Sequence, residues 1–481
     1  MATTVILRRD VTYQVGIFVS GDGTRGVPYR ESLAGKTTAV VGLAKSGVAA
    51  ARLLRRLGAR VLASDSSPLE ALTADARALD REGCALWAGG HPDDAFRGAE
   101  LVVVSPGVPL ELPALAAVRA RGVPIIGELE LAWRVMEADT IAITGTNGKT
   151  TTTALTGELL RTQVRPVLVG GNIGTPLAEH ALEFPGDGIV VAETSSFQLD
   201  TIERFRPRVG VILNITPDHL DRHGTFERYV DAKARLFANQ GPTDCAVLNA
   251  DDPVTAGLAG RTRGRVIWFS RTTPLAHGVF IYDGWIVAKL NGTTERICPV
   301  SEITLRGQHN VENVLAATAC ALWTGMAPSA IRRGIGAFRG VAHRIERVHD
   351  DRGVVYYNDS KGTNVDSTIK ALESFTEPVV LIAGGKGKGQ DFAPLAEAAR
   401  GRVRRAILIG EDRDKIRIAL ETAGMSAESA DSLEDAVRRA RDAARAGDVV
   451  LLSPACASFD MFRNFEHRGD VFKSVVRALL G

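Results

Sequence analysis

The chain has 481 residues, 45% hydrophobic and 24% charged, an ordinary balance for a protein that buries sizeable cores in about three domains. Lys and Arg number 58 against 56 Asp and Glu, and the resulting net charge of +2 is too even for the footprint of a nucleic-acid or membrane-surface binder. The five cysteines, Cys84, Cys245, Cys298, Cys320 and Cys456, are far apart and lack C-x-x-C spacing, which argues against a disulfide framework or a zinc site and suits a reducing cytoplasm.

Residues 1–30 carry no clear periodicity and read as a leader of unknown role, with Gly21-Asp22-Gly23 and Gly26-Val27-Pro28 as loop signals. The apolar run Val15 to Val19 is too short for a signal-peptide core, and no run approaches the ~20 residues of a membrane helix. From Lys36 a βαβ pattern begins: a strand over Thr37 to Val41, a turn over Gly42 to Gly47, a helix over Val48 to Leu57, and a strand from Arg60 to Ala63 ending at Asp65. Ala44 stands where a dinucleotide fingerprint has its second glycine, which counts against a nicotinamide site. Leu101 to Val104 runs into Ser105-Pro106-Gly107, and Val123 to Ile126 precedes Gly127-Glu128, closing a first domain over 31–128.

The apolar run Ile141-Ala142-Ile143 feeds Thr144-Gly145-Thr146-Asn147-Gly148-Lys149-Thr150-Thr151, after which Ala154, Leu155, Leu159 and Leu160 continue as a helix. This is the form of a phosphate cradle. Backbone N–H groups close round phosphate oxygens, the helix N-terminus adds partial positive charge, Lys149 adds a full one, and Thr150 reaches Mg2+. Gly145, Thr146, Asn147, Gly148, Lys149, Thr150 and Thr151 are the candidate nucleoside-triphosphate residues. The spacing is shorter than G-x-x-x-x-G-K-[ST], with Ile143 in place of the first glycine. Strands are expected at Ile189 to Ala192, Val209 to Leu213 and Cys245 to Leu248, and a helix over Val311 to Trp323 closes a central domain spanning 129–340. Strands at Val354 to Tyr357, Val379 to Ala383, Ala406 to Ile409 and Val449 to Leu452, with a helix over Leu433 to Ala446, make a third domain over 341–481. The βα rhythm predicts three consecutive α/β domains: a Rossmann-like N-terminal domain, a central P-loop ATPase-like domain with a mostly parallel sheet, and a Rossmann-like C-terminal domain.

Ligands of parallel sheets gather at the carboxyl ends of strands, so polar residues just after apolar runs are the candidates. Glu193 follows Val190-Val191-Ala192, where a carboxylate can hold Mg2+ opposite the cradle threonine. His219 and Asp221 follow the strand ending at Leu213 and offer metal or substrate ligands, although a lone histidine is more often structural. Asn249, His309, Asn310, His343, Arg344, Asp359 and Lys361 sit in further polar segments. Gly384 to Gly389 has no helix directly after it and reads as a Gly-rich substrate loop carrying Lys388. Cys456 has no recognisable base nearby and reads as a buried small residue. Lys233, judged on its neighbours alone, reads as a solvated helix lysine.

Together these segments closely resemble the Mur ligases of peptidoglycan synthesis, from Gly35 to the C-terminus. The shared features are the cradle, Gly171-Asn172-Ile173-Gly174, Glu193, His219, Gly307 through Asn313, and His343-Arg344. Gly127-Glu128-Leu129-Glu130-Leu131, Asn358 through Asn364, and Ser453 through Ser458 continuing to Asn464-Phe465-Glu466 look like the glutamate-adding member. No Asp-Asn-Pro-Arg segment of the diaminopimelate- or lysine-adding kind is present. The resemblance implies a cytoplasmic, monomeric ligase that joins glutamate to UDP-N-acetylmuramoyl-L-alanine through an acyl phosphate, using ATP and two Mg2+ ions, with no nucleic-acid or membrane partner. It implies that Lys45, Ser46, Asp65, Ser105, Pro106 and Gly107, with Asn172 and His219, hold the uridine nucleotide. It further implies Asn249 and Asn310 towards adenine, Arg344, Asp359 and Lys361 closing over the nucleotide, and Thr363, Lys388, Ser458 and Phe465 on glutamate. Thr150, Glu193, His219 and a carbamylated Lys233 are the implied metal ligands; Lys149, Glu193, His219, Lys233, Arg344 and Lys361 are the implied catalytic groups. D-Glutamate is the expected amino acid, although one charged loop could orient either enantiomer. A folylpolyglutamate synthase-like ligase and a non-ligating nucleotide switch are the alternatives.

Overall fold

The computed structural model describes residues 25–163, 165–387 and 389–480, so most of the stretch read as a leader, and Lys388, lie outside the described residues. Parallel-rich sheets flanked by helices build three α/β domains. The described chain divides into two compact units, one holding the first two sheets and the other the third.

The first sheet comprises β1 (Thr37–Val41), β2 (Arg60–Asp65), β3 (Ala85–Ala88), β4 (Leu101–Val104) and β5 (Ile125–Gly127) in the order β3-β2-β1-β4-β5, all parallel. Its inner strands are near-continuous apolar runs because helices cover both faces. The order reverses between β1 and β4, which brings Gly42 and Ser105 together at the carboxyl ends, where such sheets bind ligands. Residues 25–30, read from the sequence as the end of a loose leader, are instead tied down. Pro28 starts a helix over Val27–Ser32, Arg25 donates from Nε to Trp133 O at 3.0 Å and lies 4.7 Å over the Trp133 ring, and Arg30 Nε donates to Val135 O at 2.8 Å. The two guanidiniums satisfy carbonyls at the end of the helix Glu128–Val135, which that helix leaves without internal partners.

The second sheet has nine strands, β6 (Asp139–Thr144), β7 (Val167–Gly171), β8 (Ile189–Glu193), β9 (Val209–Ile212), β10 (Cys245–Asn249), β11 (Arg265–Ser270), β12 (Gly278–Tyr282), β13 (Trp285–Leu290) and β14 (Thr293–Pro299). Their order is β14-β13-β12-β11-β10-β9-β6-β8-β7, parallel except for the antiparallel run β12-β13-β14. That run turns at Asp283-Gly284 and Asn291-Gly292, whose φ angles of 51, 71, 51 and 79° suit type I′ hairpins. A single apolar cluster runs through this unit from Leu53 and Leu54 by way of Leu129, Leu131 and Val135 to Leu177, Val190 and Phe205.

The third sheet comprises β15 (Glu346–Asp351), β16 (Val354–Asn358), β17 (Val379–Gly384), β18 (Val403–Ile409), β19 (Ala427–Ser429) and β20 (Val449–Leu452), ordered β15-β16-β20-β17-β18-β19 with only β15 antiparallel. The five cysteines are all buried and form no disulfide.

Candidate active site

The cradle leaves β6 at Thr144 and reaches the helix Lys149–Leu160 through Gly145 and Gly148, with φ angles of 151 and 83°. Gly148 is required twice over. It is left-handed, and a Cβ there would lie 2.2 Å from Asn313 Oδ1, an oxygen that also accepts from Thr152 Oγ1 at 3.1 Å. The loop is braced from the end of β9: Asn147 N–H donates to Asn214 Oδ1 at 2.9 Å, and Thr216 N–H donates to Thr146 Oγ1 at 3.0 Å. Lys149 Nζ donates to the carbonyls of Gly145 (2.8 Å) and Thr146 (2.7 Å), while Thr150 and Thr151 are buried in the first helical turn.

Glu193 ends β8 beside β6, in register with Ile143, and is 1% exposed. Its Oε1 accepts from Asn172 Nδ2 at 2.6 Å, whereas its buried Oε2 has no hydrogen-bond partner. Lys233 corrects the expectation of a solvated lysine, because it is only 2% exposed. On the helix Phe226–Ala234 it shares the buried face with Tyr229 and Ala232, and its Nζ donates to Gly145 O at 2.9 Å and lies 4.7 Å from the Tyr229 ring centroid. Burial, reinforced by the Lys149 ammonium, lowers its pKa well below the ordinary lysine value against the opposing pull of Asp218 and Glu193. The Gly145 carbonyl thus accepts from both lysines. His219 caps the short helix Leu220–His223 in the left-handed region, φ 53°, with Nε2 3.6 Å from Asp218 Oδ2 and its ring edge-on to Phe197 at 5.0 Å.

Among the described residues no group of three or more His, Cys, Asp or Glu side chains could hold a metal alone. A partnerless buried carboxylate oxygen beside a phosphate cradle nevertheless fits Mg2+, which usually takes one or two carboxylates, phosphate oxygens and waters. Thr150 and Glu193 suit it as they stand; the Lys233 amine would need conversion to an oxygen ligand.

In the first sheet Asp65 accepts from Leu43 N–H (2.6 Å) and Ser67 N–H (2.8 Å); burial raises its pKa, but these amides prevail and leave it lowered. Ser105 Oγ donates to Gly42 O at 2.7 Å, and a Cβ at Gly47 would lie 1.8 Å from the same oxygen, so the turn can close only on glycine. Lys45 and Gly107 are exposed there, and Ser46 and Pro106 half-buried. Asn249 is committed to the backbone, donating to Leu213 O at 3.0 Å and accepting from Asp251 N–H at 2.9 Å.

In the second unit Asp359 is fully buried after β16, accepts from Ser453 Oγ at 2.8 Å and Ile345 N–H at 3.3 Å, and lies 3.9 Å from Arg344 Nη1. Burial outweighs these partners and pushes its carboxyl up to about 6. Lys361 Nζ sits 5.5 Å over the Phe465 ring, Thr363 is half-buried nearby in sequence, and Ser458 is 2% exposed. Asn310 Nδ2 donates to Arg306 O at 2.6 Å.

Sequence reasoning passed over Arg468. It is 1% exposed and joins the two halves of this cluster, with Nε donating to Ser360 Oγ (3.0 Å), Nη2 to Ser360 O (2.8 Å), and both terminal nitrogens to Cys456 O (3.1 Å). Its spacing with Phe465, Gly469, Phe472 and Val476 on one helix face was the available signal. Tyr229, whose hydroxyl lies 3.2 Å from Thr146 Oγ1, and Asp218 beside His219 were likewise missed.

A glycine-braced cradle at the carboxyl end of a parallel sheet, with a buried carboxylate alongside, is the equipment of a nucleotide-using α/β enzyme. The chain belongs to the Mur ligase family. It matches the Mur ligase MurD-like N-terminal domain over 36–127, the Mur ligase middle domain over 143–321, and the Mur ligase glutamate ligase domain over 343–456. The UDP-N-acetylmuramoylalanine--D-glutamate ligase of Acidobacterium capsulatum is 51% identical over 451 residues, covering 93% of this chain and 98% of that protein. The ligase of the same name from Pelotomaculum thermopropionicum is 49% identical over 446 residues, covering 92% and 98%. Among solved structures, the UDP-N-acetylmuramate-alanine ligase of Thermotoga maritima shares the fold with a TM-score of 0.59 at 21% identity, covering 92% of this chain and 99% of that one.

Proposed function

We propose that this chain joins D-glutamate to UDP-N-acetylmuramoyl-L-alanine at the expense of ATP, in the synthesis of peptidoglycan precursors. The observation that carries the reading is the 51% identity along 93% of the chain to a ligase of that name, and the cradle supplies the chemistry. A carboxylate cannot expel oxide, so the γ-phosphoryl of ATP is first transferred to the L-alanyl carboxylate, giving an acyl phosphate and ADP. The glutamate amine then attacks the acyl carbon, loses a proton, and the tetrahedral adduct expels phosphate. Lys149 and the cradle amides stabilise charge on the moving phosphoryl group. Mg2+, held by Thr150 and Glu193, would neutralise phosphate oxygens when bound.

Burial lowers the Lys233 pKa and so favours its neutral amine, the form that can attack CO2, form an N–C bond and release one proton, yielding anionic oxygens suited to a second Mg2+. His219 and Asn172 serve metal or substrate. Lys45, Ser46, Asp65, Ser105, Pro106 and Gly107 take the uridine diphosphate, and Asn249 and Asn310 support the adenine side. Arg344, Asp359 and Lys361 act on the nucleotide, and Thr363, Lys388, Ser458 and Phe465 on glutamate. The enzyme works as a cytoplasmic monomer.

Phosphate release measured with ATP, UDP-N-acetylmuramoyl-L-alanine and either enantiomer of glutamate tests the reading. Release with the D-enantiomer is expected, and Lys149→Ala should lower kcat about 10²- to 10³-fold. Release driven by a pterin acceptor, or none with any acceptor, would point to a folylpolyglutamate synthase-like ligase or to a switch.

A further inference from the structure

The segment Gly127-Glu128-Leu129-Glu130 grips the chain on both sides of Glu193. Gly127 N–H donates to Thr201 O at 3.1 Å, and a Cβ there would lie 2.2 Å from Thr201 Oγ1. Glu130 is fully buried and accepts from the amides of Glu203 (3.0 Å), Arg204 (3.0 Å) and Phe205 (2.8 Å), and from Arg134 Nε at 2.6 Å. Glu128 is 1% exposed; its Oε1 accepts from Ala178 N–H at 2.7 Å, and its Oε2 has no hydrogen-bond partner. A buried carboxyl held by so little is costly to keep as a mere packing group.

The segment from Gly171 to Ala178 meets both the backbone oxygen and the carboxylate of Glu193. A Cβ on Gly171 would lie 2.5 Å from Glu193 O, Asn172 N–H donates to that oxygen at 2.9 Å, and Asn172 Nδ2 donates to Glu193 Oε1 at 2.6 Å. Gly171 N–H closes the loop on Thr175 O at 3.1 Å. The other end of the loop is Ala178, and its amide is in the grip of Glu128.

We propose that Glu128 is a positioning residue for Glu193: by holding the Ala178 amide it fixes the 171–178 loop, and through Asn172 it sets the orientation of the Glu193 carboxylate. This rests on the reading that Glu193 takes Mg2+. Partners of that outer kind are worth about 10- to 100-fold in metal affinity. Burial pushes the Glu128 carboxyl up to about 7, so both forms are populated near neutral pH, and glutamine keeps the oxygen that accepts from the Ala178 amide.

Two readouts test this on the full chain: amide hydrogen exchange of peptides spanning 171–178, measured without ligands, and the Mg2+ concentration for half-maximal phosphate release. Glu128→Ala should speed exchange in the loop and raise the Mg2+ requirement about tenfold. Glu128→Gln should restore both. Glu128→Asp keeps a carboxyl but draws its oxygens back by one methylene, and should move both readouts as Ala does, which serves if Ala fails to fold. Added to Asn172→Ala, Glu128→Ala should raise the Mg2+ requirement no further, because the coupling runs through Asn172. Unchanged loop exchange in both Ala and Asp variants overturns the proposal, as does faster exchange with an unaltered Mg2+ requirement while Glu193→Gln shifts it. A Glu193→Gln enzyme with an unaltered Mg2+ requirement overturns instead the functional reading on which the proposal rests.

Discussion

Replacing Asp359 by asparagine should make the protein more stable and less active. The carboxyl is fully buried, and its pKa is raised from 3.8 to about 6 because burial exceeds the help from Arg344, Ser453 and Ile345. Two units at ~1.4 kcal/mol each put the cost of keeping it ionised at about 3 kcal/mol. The sign follows from proton counting. Between the unfolded and folded values the folded chain holds more protons, so stability falls as pH rises through that window, and the whole cost is present above the folded value.

An asparagine keeps a carbonyl acceptor, and the Ser453 hydroxyl can turn to accept from the new amide, so most of the cost is relieved. Asp359→Asn should therefore gain about 1–3 kcal/mol near pH 7.5 and roughly half as much near pH 5. Denaturant-dependent hydrogen exchange of peptides covering Val354–Asn358 and Val449–Leu452, compared between variant and parent at each pH, measures the gain. A loss of protection at the higher pH, or a gain that does not change with pH, would refute the reasoning. A carboxylate kept ionised against such a cost marks a site selected for chemistry, so kcat should fall in the same variant.

Gly148→Ala meets both a left-handed backbone and the Asn313 oxygen at 2.2 Å, and should weaken ATP at least about tenfold in a nucleotide titration; unchanged affinity would mean the cradle is not the nucleotide site. Arg468→Lys replaces a fork that spans Ser360 and Cys456 with a point charge, and should lower stability by about 2–3 kcal/mol; an unmoved unfolding midpoint would show that the fork bears little load. Removing CO2 from the buffer should abolish most turnover and bicarbonate should restore it, because burial lowers the Lys233 pKa and favours the amine that carbamylation needs; indifference to bicarbonate, or a fully active Lys233→Ala enzyme, would exclude the carbamate.

The strands that carry the cradle, Glu193 and Asp359 were legible because parallel strands are plain apolar runs and their ends announce themselves with Gly, Asn and Asp. The expected strands Thr37 to Val41, Leu101 to Val104 and Val449 to Leu452 are the observed β1, β4 and β20, and the other expected elements differ by one to three residues at one or both ends. The antiparallel run β12-β13-β14 went unread although Asp283-Gly284 and Asn291-Gly292 signal it, because attention to βα alternation passes over hairpins. The burial of Lys233 could not be read from charge. Its place on the Tyr229 and Ala232 face follows from helical spacing, but only the tertiary fold decides that this face meets the cradle. Contacts such as Glu128 to Ala178 join segments 50 residues apart, and no local pattern encodes them.

The five buried thiols give this protein a built-in set of clocks. Cys84 belongs to the first domain, Cys245, Cys298 and Cys320 to the central one, and Cys456 to the last, and burial holds Cys84 at about 11 and Cys320 at about 12. A thiol-specific reagent reacts with the thiolate, so each cysteine stays silent until its own surroundings open and then is modified once, irreversibly. Reading which cysteine carries the label after a given time would rank the breathing of the three domains in an unmodified sequence.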